Sequence, residues 1–80
     1  MTTLFDGSDK SPEALVALSR ALNELPEGTE IRVVNESGEV FLLLRVGGRG
    51  RDGGLYYPGD LVVAIDDVVF DGDVAWVEVV

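Results

Sequence analysis

Gly48-Arg49-Gly50-Arg51-Asp52-Gly53 carries the GxGxxG spacing with which glycine-rich loops cradle a dinucleotide pyrophosphate. That chemistry requires a helix to open at the loop, so that its free N-terminal amides meet the phosphates. The residues that follow are Leu55-Tyr56-Tyr57-Pro58-Gly59, and the proline and glycine leave no room for a useful helix. Gly47 to Gly54 therefore reads as a hairpin loop, the most mobile internal segment of the chain. Arg45, Arg49 and Arg51 are half of the six bases, and they neighbour Tyr56 and Tyr57, a combination on which single-stranded nucleic acid can stack. A net charge of −9 opposes that use, so these arginines are expected to pair with carboxylates of the chain or of a partner. Asp66, Asp67, Asp71 and Asp73 form the densest acidic cluster but lack the ligand spacing of a calcium loop. Nor does the sequence supply an apolar wall to raise one of these carboxyls for general acid work. With no histidine and no cysteine, Ser8, Ser11, Ser19 and Ser37 have no imidazole to activate them, and thiolate or zinc chemistry is excluded. The one lysine, Lys10, sits in a polar stretch. The residues point to no enzyme, no cofactor and no metal.

The 80 residues are sufficient for one domain, residues 1–80, with an apolar share of 46% to build its core. The charge is uneven: residues 1–51 are net −2, whereas residues 52–80 hold seven acids and no base. Such a field repels phosphate backbones and anionic lipid. Direct nucleic-acid and membrane binding are disfavoured, and a protein partner with a basic surface is favoured. No apolar stretch approaches the ~20 residues of a membrane span, and Met1-Thr2-Thr3-Leu4-Phe5-Asp6 lacks the pattern of a leader, so a cytoplasmic location is expected. Because the acids of residues 52–80 are uncompensated in sequence, moderate sodium chloride should raise the melting temperature by screening their repulsion. A melting temperature that is flat or falls with salt would show that the acids are already paired.

These residues must be positioned by a small number of elements. Residues 1–10 read as a polar lead-in arm. Ser11-Pro12-Glu13 then announces a helix over 11–25: a capping hydroxyl, a proline where no N–H is needed, and an acid at the positive end of the dipole. Leu15, Leu18, Leu22 and Leu25 form its apolar stripe, and Pro26 ends it. From residue 30 to 80 the period is that of antiparallel strands. Ile31 and Val33 belong to a first strand, Asn35-Glu36-Ser37-Gly38 to a turn, and Val40 to Val46 to a second strand. Val40-Phe41-Leu42-Leu43-Leu44 is apolar on both faces and predicts a central strand covered on both sides. Asp71-Gly72 predicts a tight hairpin that pairs Val69 with Val74, Val68 with Ala75 and Asp67 with Trp76. In that register Phe70 and Val68 share a face with Ala75 and Val77, and a β-bulge at Asp66-Asp67 returns Leu61, Val63 and Ile65 to the core. The fold class is α+β: one N-terminal helix on a four- to five-stranded antiparallel sheet or small half-barrel.

In the last strand, Ala75, Val77 and Val79 alternate with Val74, Trp76, Glu78 and Val80. The first set is uniformly apolar and belongs to the core. Trp76 then falls on the other face with Val74 and Val69, rimmed by Asp67 and Glu78, which is the composition of a partner-binding patch.

Leu25-Pro26-Glu27-Gly28-Thr29-Glu30-Ile31-Arg32, followed by Gly38-Glu39-Val40-Phe41, resembles a pattern in small accessory proteins of actinobacterial phages, a short helix leading into an LPxGTxxR turn and a hairpin. The resemblance covers about a third of the chain and implies an origin but no activity or site residue. The resulting expectation is a non-enzymatic acidic interaction module, a phage or mobile-element accessory protein that modulates a host protein in the host cytoplasm. Alternatives are a small assembly protein acting as a homodimer or larger homo-oligomer, and a nucleic-acid mimic that inhibits a DNA-binding protein.

Overall fold

Ser11 opens the first helix as its sequence requires: its Oγ accepts the Ala14 N–H at 3.2 Å, and Pro12 occupies the first turn. In the computed structural model, which describes residues 2–47, 54–57 and 62–80, this helix is α1, Pro12–Glu24. It stops at Leu25, whose extended backbone precedes Pro26 and whose N–H reaches the Leu22 carbonyl. Leu18 and Leu22 are buried and Leu15 and Leu25 partly so, as the stripe predicts.

The strands are β1 Thr2–Phe5, β2 Glu30–Asn35, β3 Val40–Val46, β4 Gly54–Tyr56, β5 Val62–Ala64 and β6 Val74–Val79. A second helix, α2, spans Ile65–Asp71. The strands form one antiparallel sheet in the order β1-β6-β2-β3-β4-β5. The class is α+β, with two helices and six strands among the described residues where one helix and four or five strands were expected. Leu18 and Leu22 of α1 and Ile65, Val68 and Val69 of α2 share a core with Ile31, Val33, Leu43, Leu55 and Val77 of the sheet. Both helices therefore cover the same side. The other face is left open by the described residues.

Three expectations are corrected. Residues 1–10 are not simply an arm, because Thr2–Phe5 pairs with β6 and buries Phe5 to 7% exposure. The reason is nonlocal: β6 presents an otherwise unpaired edge, and β1 fills it. The turn into α1 is then held by two aspartates. Asp6 Oδ1 accepts from the Ser8 N–H at 2.9 Å and the Ser8 hydroxyl at 2.7 Å, and Asp9 Oδ1 accepts from the Ser11 N–H at 2.9 Å. Gly7 between them has φ of +78°, and a Cβ there would lie 2.6 Å from the Ala75 carbonyl oxygen.

Second, Asp71-Gly72 closes a helix and not a hairpin. Ile65, Val68 and Val69 recur at helical spacing, Asp66 and Asp67 occupy the positive first turn, and the Gly72 N–H returns to the Val68 carbonyl at 3.1 Å. Asp73 then takes a left-handed conformation, φ +49°, just before β6. The predicted pairs of Val69, Val68 and Asp67 with Val74, Ala75 and Trp76 do not form, and Val68 is buried while Phe70 is exposed. No bulge lies at Asp66-Asp67. The irregularity sits in β6, where Val34 opposes Trp76 and Asn35 opposes Val74, so Ala75 is the extra residue.

Third, β3 is central, but the described residues cover it on one side only. Leu43 and Arg45 face the helices and are buried, whereas Leu42 and Val40 are each 58% exposed on the opposite face.

The Asp6 and Asp9 carboxyls are held below the ordinary aspartate range, Asp6 chiefly by the Ser8 hydroxyl and Asp9 chiefly by the Ser11 amide. A carboxylate whose folded pKa is depressed adds stability above its unfolded value, and that stability is lost as pH falls through the lowered folded value. The β1-α1 turn should accordingly loosen below about pH 4. Replacing Asp6 and Asp9 together with asparagine should flatten the acid limb of a pH-stability profile. An unchanged acid limb would show that the two carboxylates contribute nothing.

Candidate interaction surface

Alternation in five neighbouring strands assembles the open face from three cross-strand rows. Trp76, Val34 and Val40 stand side by side on β6, β2 and β3. Glu78, Arg32 and Leu42 make the next row. Glu30, Leu44, Tyr56 and Val62 make the third, across β2 to β5. Two rows are predominantly apolar, and the middle one holds an ion pair. Arg32 Nη1 donates to Glu78 Oε1 at 2.5 Å, directly across the β2-β6 ladder, and Glu78 is 9% exposed. The residues thus satisfy one another's charge before anything docks. A groove of about 400 Å³ between β3 and β4 is lined by Glu30, Leu42, Leu44 and Tyr56.

Sequence reasoning placed Trp76 correctly on the face opposite Val77: it is 37% exposed, and Glu78 shares its side. The rest of the expected patch is dispersed. Val69 and Val74 are buried in the core, the first on α2 and the second returned to the core side by the irregularity at Ala75. Asp67 is an exposed residue of α2, on the helical side of the sheet, and does not rim Trp76. In their place the face recruits Val34, Val40, Leu42, Leu44 and Tyr56. For Val40, Leu42 and Leu44 the signal was in the sequence, as the two-sided apolar character of residues 40–44.

The arginine and tyrosine cluster also separates. Arg49 and Arg51, with the whole GxGxxG stretch, lie outside the described residues, and so does most of the loop expected to be mobile. Gly54 already belongs to β4, so the chain leaves that stretch as a strand. Tyr56 faces outward beside Leu44, whereas Tyr57 packs edge-to-face on Phe41 with ring centroids 5.7 Å apart. Burial pushes the Tyr57 hydroxyl pKa above its usual value. Arg45 is fully buried and turned toward the C-terminal end of α1: Nε donates to the Leu22 carbonyl at 3.0 Å, Nη2 to the Asn23 carbonyl at 3.1 Å, and Nη1 to the Val46 carbonyl. The sequence signal was available. Arg45 follows Leu43 in the core-facing phase of β3, and the last turn of α1 has no basic residue of its own.

The acids lie elsewhere. Asp66 accepts the Ser19 hydroxyl at 2.5 Å between the two helices, and Glu36 in the β2-β3 turn pairs with Lys10. Of the acids in described strands, only Glu30 and Glu78 fall on the outer face. Among the described residues no three carboxylates converge as metal ligands, and no helix is long and apolar enough to cross a membrane. No protein-family model, curated protein or solved structure matches this chain.

Proposed function

We propose that this chain is a non-enzymatic protein-interaction module whose docking surface is the outer face of its sheet, and that it serves as an accessory protein of phage or mobile-element origin. The observation that carries the reading is Leu42, 58% exposed in a middle strand of a six-stranded sheet, with Val40 and Leu44 on either side of it along β3 and Arg32 beside it on β2. A large apolar side chain left in water forgoes roughly 1.5–3 kcal/mol of burial, and contiguous apolar rows multiply that driving force for association. Trp76 at one end and Tyr56 at the other supply the rigid aromatic anchors that interfaces use. The acids on helices and turns keep the molecule soluble and favour basic residues at the edge of whatever contact it makes. The origin rests on the resemblance of residues 25–41 alone.

The test compares wild type, Leu42→Glu and Val16→Glu as affinity baits in an actinobacterial lysate, with copies of the bait protein itself scored among the captured species. Val16 is an exposed apolar residue of α1 and serves as the control on the helical side. The expected result is a set of species retained by wild type and Val16→Glu and lost with Leu42→Glu. Identical capture by all three folded proteins would remove the outer face as the docking surface.

A further inference from the structure

We infer that the occupant of the outer face is a second copy of this chain, docked sheet to sheet about a two-fold axis. The inference rests on the preceding reading of that face as an interface and names its partner. Three features of the face select a copy of itself.

The first is charge. Arg32 and Glu78 neutralise each other within one protomer, so a surface laid over them need bring no counter-charge, and a strongly basic surface would set its cations against Arg32. The second is the location of the helical acids. Glu13, Glu24, Asp66, Asp67 and Asp71 lie on the two helices, on the far side of the sheet, and among the acids of the described strands Glu30 alone joins Glu78 on the outer face. Packed sheets are ~10 Å apart, and a helical layer stands beyond each of them. The helical acids of two docked copies are then separated by far more than the ~8 Å over which charges act at physiological salt. For a molecule of net charge −9, docking through this face keeps the helical acids of the two copies apart.

The third is shape and size. A two-fold axis lying in the interface, whether along the strands or across them, lays apolar rows on apolar rows and the neutral row on its own counterpart. In either orientation the Trp76-Val34-Val40 and Leu44-Tyr56-Val62 rows meet apolar rows of the other copy. Six strands spaced ~4.8 Å apart make a face about 24 Å wide, and five residues at ~3.3 Å each make it about 17 Å long. With the relief of the side chains, two such faces bury on the order of 1,000 Å² in total, the lower bound for a specific interface. Stacking also covers the second apolar side of β3, converting the two-layer fold into a four-layer dimer with helices outside.

The experiment is sedimentation equilibrium from low-micromolar to near-millimolar protein, with acrylamide quenching of the single tryptophan across the same series. Wild type should be a dimer that dissociates on dilution, and Trp76 should become more accessible as it does. Leu42→Glu should weaken the dimer by about 100-fold or more, since both copies lose the contact. Trp76→Lys provides an independent test should Leu42→Glu fail to fold, and Val16→Glu should leave the dimer unchanged. Wild type that is monomeric at every concentration overturns the second copy as occupant; the reading of the face then stands or falls on the capture comparison. A dimer insensitive to both Leu42→Glu and Trp76→Lys also overturns it, because the copies then meet elsewhere.

Discussion

Replacing Arg45 with alanine is expected to cost roughly 3–5 kcal/mol of folding stability, because a cavity opens and buried carbonyls lose charge-assisted hydrogen bonds. The guanidinium is fully buried and donates to the Leu22, Asn23 and Val46 carbonyls. Leu22 and Asn23 lie in the last turn of α1, whose carbonyls carry the negative end of its dipole, and the Leu22 carbonyl also accepts the Leu25 N–H of the C-cap. Arg45 is thus the cap of α1 supplied from β3. Its main chain serves the same junction, accepting the Gly28 N–H at 2.7 Å and donating to the Thr29 carbonyl at 2.9 Å. Truncation leaves a cavity and strips charge-assisted bonds from buried acceptors. Lysine keeps the charge but lacks the planar fork that reaches three carbonyls, so Arg45→Lys should recover only part of the loss. For a domain of this size, whose net stability is about 4–12 kcal/mol, the alanine variant is expected to be partly unfolded at room temperature. Urea unfolding of wild type, Arg45→Lys and Arg45→Ala measures this directly. A loss below about 1 kcal/mol for alanine would mean that the arginine is dispensable to the fold.

Phe5→Ala should cost a comparable ~3–5 kcal/mol, the range for removing a buried phenylalanine. A lead-in arm would tolerate the change with almost no effect, so the two descriptions of the first ten residues are far apart in outcome. Phe5 belongs to the main core cluster and opposes Val77 across the β1-β6 ladder. Removing residues 2–6 altogether should expose the β6 edge, and the truncated protein should self-associate through that edge in addition to losing stability. Thermal melts with light scattering distinguish the variants. An unchanged melting temperature for Phe5→Ala would show that β1 frays away from the sheet in solution.

Trp76 illustrates how far alternation carries. Its side of β6 followed from Glu78, a carboxylate that requires a partner or water, and the structure supplies Arg32 directly opposite. Val74 shows where alternation fails. One extra residue at Ala75 reverses the phase, and nothing in Val74-Ala75-Trp76 announces it, since a bulge answers to the length of the partner strand. The candidate surface was half visible: residues 40–44 declared two apolar faces, but which rows would stand beside Leu42 depended on which strands became its neighbours.

What the sequence by itself determined is therefore what local chemistry controls. The helix from Pro12, its end before Pro26, the β2-β3 hairpin around Asn35-Glu36-Ser37-Gly38 and the acidic charge all follow from residues within a few positions of one another. Only the tertiary structure decided that Thr2–Phe5 is a strand, that Ile65–Asp71 is a helix, that β6 lies between β1 and β2, and that Arg45 caps α1. Each of those outcomes depends on a partner tens of residues away. Val68-Val69-Phe70 is as compatible with a strand as with a helix until α1 offers a surface to cover. A strand edge has no preference for a particular sequence until another strand is brought beside it, because its hydrogen bonds are made by the main chain, which every residue shares.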